Sequence, residues 1–143
     1  MGLWKKLFNN AEQDRVDYYE EGLQLMAAGK HHEALTSFRL ALREDPRDAT
    51  VLQQIAITYT RIGMTDEALK TYRSVLEKDP DASGAHYGLA FLMLKDGRSD
   101  EAIGHLRSFL SHPPTGPEAQ RHITHARETL AQLAGEARAS DAQ

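Results

Sequence analysis

Proline, glycine and alanine recur along this chain at one spacing, 34 residues. Pro46, Pro80 and Pro114 share it, as do Gly29, Gly63 and Gly97, and Ala34, Ala68 and Ala102. A fixed period of this length means a stack of small supersecondary units, each covering a face that its neighbour cannot bury alone. Between the markers the apolar residues fall on i, i+1, i+4, i+7 and i+8. They run Ala34, Leu35, Phe38, Ala41, Leu42 in the first unit and Ala68, Leu69, Tyr72, Val75, Leu76 in the second. In the third they run Ala102, Ile103, Leu106, Phe109, Leu110. That spacing is one stripe of an α-helix.

The punctuation agrees with the stripes. Gly29, Gly63 and Gly97 stand where a helix would end, since glycine enters the left-handed region without a Cβ penalty. Thr65 and Ser99 are expected to cap the next helix, with Asp66, Glu67, Asp100 and Glu101 in its first turn to complement the dipole. Asp45–Pro46 and Asp79–Pro80 then stop it, because the residue before proline avoids the α region. The reading predicts first helices near 15–28, 49–62 and 83–96, and second helices near 31–44, 65–78 and 99–112. Pro117 suits the first position of a closing helix, with Ile123, Leu130 and Leu133 as its apolar stripe to about Ala134. The expected layout is an amphipathic segment 1–14, units 15–48, 49–82 and 83–116, a closing helix 117–134, and a flexible tail 135–143.

Composition narrows the function. The net charge is −4, from 17 basic and 21 acidic residues, so no positive field draws phosphate backbones and nucleic acid is not expected as a partner. There is no cysteine, which removes disulfides, thiolate nucleophiles and thiolate metal sites and is compatible with a reducing compartment. No apolar run reaches the roughly 18 residues of a membrane span. Residues 1–8 lack the apolar core and small-residue cleavage site of a secretory signal. The expectation is a soluble, cytoplasmic protein. Of the 7 histidines, His31 and His32 fall in a turn and His122 and His125 stand i, i+3 on a solvated face of the closing helix. With no supporting ligands they do not predict a metal site. No phosphate loop occurs, no cofactor is implied, and no catalytic set can be read; the chain is not expected to be an enzyme.

Together these residues resemble the tetratricopeptide repeat, whose 34-residue pattern runs aromatic, Leu-Gly, Tyr, Ala-x₃-Phe, Pro. Tyr18, Gly22, Gly29, Ala34, Phe38, Ala41 and Pro46 match in the first unit. Tyr59, Gly63, Ala68, Tyr72 and Pro80 match in the second, where Ala56 replaces the usual glycine. The third keeps Leu89, Gly97, Ala102 and Pro114 but departs at Leu106 and Phe109. Phe109 is expected to use its extra bulk to pack the closing helix. The resemblance covers about residues 15–134. It implies an all-α, right-handed solenoid of three helix-turn-helix units with a closing helix, and a concave groove that binds another protein.

The family's groove positions fall on Tyr19, Leu23 and Met26 in the first unit and on Gln53, Ile57, Thr60 and Arg61 in the second. In the third they fall on Tyr87, Phe91, Leu94 and Lys95. Such an apolar, aromatic surface would be unusual on a monomer without a partner, and it suits an amphipathic helix or an extended apolar peptide. Members of the family that hold acidic chaperone tails use a Lys/Asn/Arg clamp. The matching positions here are Tyr19, Leu23, Gln54, Gly84 and Gly88, none basic, so that activity is not implied. Gly84 and Gly88 each cost about 1 kcal/mol in a helix interior. They are expected to leave room in the groove for a bulky ligand side chain.

Leu3, Trp4, Leu7 and Phe8 fall on one helical face ahead of the first unit, beside Lys5 and Lys6, with Asn9–Asn10 as a break. Three roles are open to this segment: a cap on the first unit, an occupant of its own or a neighbour's groove, or a contact with a membrane surface. Burying four such side chains yields roughly 6–12 kcal/mol gross. Ordering eight residues costs about 1–2 kcal/mol each, so docking would be weak and reversible. The myristoylation pattern is not met, because Lys6 stands where it requires Ser or Thr. The leading function is therefore an adaptor that binds a partner protein in its groove. The alternatives are a self-assembling scaffold, in which this segment fills the groove of the next copy, and a peripheral membrane adaptor.

Overall fold

The computed structural model describes Gly2 and residues 16–142. Leu3, Trp4, Leu7 and Phe8 lie outside the described residues. Among the described residues there are seven helices and no strand: α1 (Tyr18–Ala27), α2 (His31–Glu44), α3 (Ala49–Ile62), α4 (Thr65–Lys78), α5 (Ser83–Lys95), α6 (Ser99–Ser111) and α7 (Ala119–Asp141). None is long and apolar enough to cross a membrane. The helices pair as α1–α2, α3–α4 and α5–α6, and successive pairs pack through α2–α3, α4–α5, α3–α5 and α6–α7. This is the α-solenoid that the 34-residue period predicts.

The turns inside the pairs are copies of one motif. Gly29, Gly63 and Gly97 have φ of 76°, 93° and 76°. In each, two backbone N–H groups close on the last helical turn: Lys30 to Leu25 O and Gly29 to Met26 O, Met64 to Tyr59 O and Gly63 to Thr60 O, Arg98 to Met93 O and Gly97 to Leu94 O. That is the paired bonding of a left-handed helix stop, and it satisfies carbonyls left over by the helix. The second helices end as predicted. Asp45 and Asp79 are extended, with φ near −140°, and each carboxylate accepts from the N–H two residues on.

Four local expectations are corrected. Thr65 and Ser99 are the first helical residues; Met64 and Arg98 take the cap position, and neither offers a side-chain cap bond. The working side-chain caps belong to α1 and α3, where Asp17 accepts from Glu20 N–H and Asp48 from Thr50 and Val51 N–H. Pro117 sits in a turn closed by Ala119 N–H to Gly116 O, and α7 begins two residues after it. Residues 135–141, expected as part of a flexible tail, continue α7 as helix. Ala134, Glu136, Ala137, Arg138 and Ala139 are helix formers that outweigh the single Gly135. His31 and His32 open α2, not a turn.

The periodic residues are the core. Ala34, Ala68 and Ala102 are fully buried, as are Phe38, Leu89 and Leu106. The three small alanine side chains let the paired helices approach closely. Phe38 lies over Gly22, where a Cβ would overlap its ring. Two apolar clusters result. The larger runs from Ala34 through Ile55, Ala56, Tyr72 and Val75 to Met93 and Ala102. The smaller joins Ala90, Leu106, Phe109 and Ala126, with Ile123, Leu130 and Leu133 against it. Phe109 thus packs the closing helix, as its bulk suggests, and α5 contributes to both clusters.

Candidate functional site

A cleft of about 720 Å³ opens where α3, α5 and the start of α7 face one another. Seven of the eleven anticipated groove residues line it: Gln53, Ile57, Thr60 and Arg61 from α3, and Tyr87, Phe91 and Lys95 from α5. They come together because residues 34 apart occupy equivalent places on consecutive first helices. Tyr72 and Phe109 contribute from the second helices, while Pro114, Thr115, Glu118, Ala119 and His122 form the far wall.

The other four stand elsewhere. Leu23 and Leu94 are half-buried against the larger cluster. Met26 also packs there, its sulfur 3.3 Å from the hydroxyl of the buried Thr58. Tyr19 packs on the Phe38 ring at 6.0 Å and borders a separate hollow of about 240 Å³ edged by Asp17, Glu44, Asp45 and Asp48.

The far wall is what the sequence reading did not supply. His125 is exposed, as expected of a solvated face, and His122 is half-buried, yet both touch the aromatic corner. The His122 ring meets Tyr87 edge-on at 4.9 Å, and His125 stacks on Phe91 at 4.5 Å with the planes 6° apart. The Tyr87 hydroxyl is 2.8 Å from His125 Nδ1, and its ring lies 4.7 Å from Phe91 and 5.1 Å from Phe109. A histidine at i and at i+3 on α7 is the signal that was available, since that spacing puts both rings beside one another on one helix face. Its direction follows from the apolar stripe Ala119, Ile123, Ala126, Leu130 docking on the smaller cluster, which flanks it with the histidines.

The two glycines are also corrected. A Cβ on Gly88 would overlap the Tyr72 ring, and one on Gly84 would overlap the Gln53 carboxamide. The space they leave is filled from within the chain. Burial pushes the Tyr72 phenol up, opposed in part by the Thr60 hydroxyl and the Arg61 charge beside it. Burial does the same to Tyr87. Both phenols therefore stay neutral at physiological pH. The cleft offers an aromatic and aliphatic floor (Ile57, Tyr87, Phe91), hydroxyl and amide groups (Thr60, Gln53), and two cations at its edge (Arg61, Lys95).

A family model described as tetratricopeptide repeat matches residues 25–76 and 63–122. No curated protein sequence matches the chain significantly. Among solved structures, the Yersinia enterocolitica type III secretion translocator chaperone SycD, in complex with a peptide of the translocator YopD, is similar with a TM-score of 0.77 at 19% identity, over 90% of this chain and 95% of that one. PcrH in complex with the chaperone-binding region of PopD is similar with a TM-score of 0.75 at 20% identity, over 90% of this chain and 93% of that one. The tetratricopeptide repeat domain of P58(IPK) gives 0.77 at 26% identity, over 85% of this chain and 33% of that one. At these identities the two chaperone likenesses bear on the fold alone.

Proposed function

Because the chain belongs to the tetratricopeptide repeat family, we propose that it is a binding module that takes a segment of a partner protein into the cleft between α3, α5 and α7. The observation that carries this reading is the cleft: about 720 Å³, lined by Ile57, Tyr87 and Phe91 with polar groups at its margin. Ligand sites typically enclose about 300–1,000 Å³ and combine an apolar lining with a few polar groups. The proposed contact set is Gln53, Ile57, Thr60, Arg61, Tyr87, Phe91 and Lys95. Tyr19, Leu23, Met26 and Leu94 flank it along the concave side of units 15–48, 49–82 and 83–116. The likeness to SycD and PcrH, each crystallised with a segment of a translocator protein, supports a peptide as the occupant. The module acts by binding, the use that repeat solenoids make of their concave surfaces. A cytoplasmic place of work accords with a cysteine-free composition.

A photo-crosslinking residue at Lys95 tests this in extract from the source cells, with the same residue at the exposed Arg107 on α6 as the outer-face control. The expected result is a discrete adduct at Lys95, absent at Arg107, and lost when Thr60→Trp fills the cleft. Equal adducts from both positions, or an adduct indifferent to Thr60→Trp, would remove the cleft as the binding site.

A further inference from the structure

The cleft has a sign of charge. Arg61 lies in the last turn of α3 and Lys95 ends α5. They are 34 residues apart, at equivalent places in consecutive units. Both are exposed and both line the cleft. Among the described residues Glu101 pairs with Arg98, and the Asp81 carboxylate lies 3.8 Å from the His112 imidazole, so neither cation is in an ion pair there. Glu118, the one carboxylate of the lining among the described residues, belongs to the far wall at the start of α7. The chain as a whole carries −4, so two cations beside an apolar floor, without an ion pair among the described residues, do not follow from its general composition. A last-turn cation does complement a helix dipole, but that role is met at any exposed position of the turn. It does not require both side chains to face one cleft.

We infer that the occupant is an acidic, apolar peptide segment: a bulky side chain against Ile57, Tyr87 and Phe91, with carboxylates on Arg61 and Lys95. This rests on the cleft reading above and gives its partner a chemistry. Axes of packed helices lie about 8–10 Å apart, and α3 packs on α5. An extended chain advances about 3.3 Å per residue. The two carboxylates therefore stand about two to four residues apart, with the apolar anchor between them. The same charges act against a second copy of this chain as occupant, since Leu3, Trp4, Leu7 and Phe8 are accompanied by Lys5 and Lys6.

Selection of phage-displayed random dodecapeptides on the full chain tests the inference, with binders remeasured by fluorescence polarisation as synthetic peptides. The expected binders are blocked by Thr60→Trp and enriched in Asp and Glu around an aromatic or large aliphatic residue. They lose about ten-fold in affinity when their acids become Gln, and a similar factor for the Arg61→Glu/Lys95→Glu protein. Selection on that double variant should enrich Lys and Arg instead. Binders blocked by Thr60→Trp but without acidic enrichment would overturn this inference and leave the cleft reading intact. The absence of any binder blocked by Thr60→Trp would overturn both. Equal displacement by a synthetic peptide of residues 1–12 would assign the cleft to a second copy and overturn the acidic partner.

Discussion

Gly88 and Gly104 are both glycines inside helices, and their surroundings make opposite demands on them. A Cβ on Gly88 would overlap the ring of Tyr72, whereas a Cβ on Gly104 meets nothing within 4 Å. Gly104→Ala should therefore stabilise the fold by about 0.5–1 kcal/mol, the helix-propensity difference alone. Gly88→Ala should destabilise it by about 1–3 kcal/mol, because the buried Tyr72 ring must leave its packed position. Urea midpoints of the two variants against the parent decide the matter. A stabilised Gly88→Ala would mean that the Tyr72 ring moves freely aside. Tyr72→Leu in the same chain should recover part of the loss. Sequence reasoning could see that Gly88 was costly but not what made it necessary. The residue that fills its space stands sixteen positions earlier on another helix, and nothing local points to it.

At the scale of the helix pair, α5 and α6 are joined by a contact that periodicity does not announce. His86 Nε2 lies 2.8 Å from Pro80 O, and His86 Nδ1 lies 2.9 Å from His105 Nδ1. A carbonyl only accepts, so His86 donates from Nε2 and its Nδ1 accepts the proton of His105 Nδ1. The arrangement needs a neutral His86, while His105 donates from Nδ1. The His105 pKa is held below its usual 6.5, first by burial, then by the His86 charge, with Arg73 adding to the effect and Glu101 opposing it. Between that lowered value and 6.5 the unfolded chain binds more protons than the folded one. The contribution to stability is thus complete above pH 6.5 and is lost as the pH falls below it. Urea midpoints at pH 7.5 and 5.5 should show a drop that is smaller in His105→Gln; an identical drop would show that the pair carries no pH dependence. Helix ends were legible to within a few residues, since Gly29, Gly63, Gly97 and the Asp–Pro pairs write them locally. The caps were misplaced by one residue because the left-handed glycine turn puts Met64 and Arg98 at the cap. Half of the cleft was legible, because Gln53, Ile57, Tyr87 and Phe91 inherit their placement from the period. The α7 wall was not, because it depends on where Phe109 and Ala126 let the last helix dock.

At the scale of the whole molecule, the two apolar clusters share α5 and, through Ala102, the start of α6. Leu89 and Met93 on α5 belong to the larger cluster and Ala90 to the smaller, which otherwise consists of α6 and α7 residues. A solenoid is stabilised by its units and by the contacts between neighbours, so an end that is covered on one side should open before the middle. Here that end is α6–α7, and it carries the far wall of the cleft. Phe109 is 1% exposed at the centre of the smaller cluster, and its replacement by alanine removes about 3–5 kcal/mol of packing. If the two clusters open separately, hydrogen exchange of Phe109→Ala should accelerate throughout α6 and α7 while α3 and α4 keep the protection of the parent. The cleft should then lose His122 and His125 from Tyr87 and Phe91 without loss of the first two units, and peptide binding should weaken more than the urea midpoint of α3 and α4 falls. Accelerated exchange spread evenly over all helices would instead show one cooperative unit, with the closing helix as integral to the first repeat as to the third.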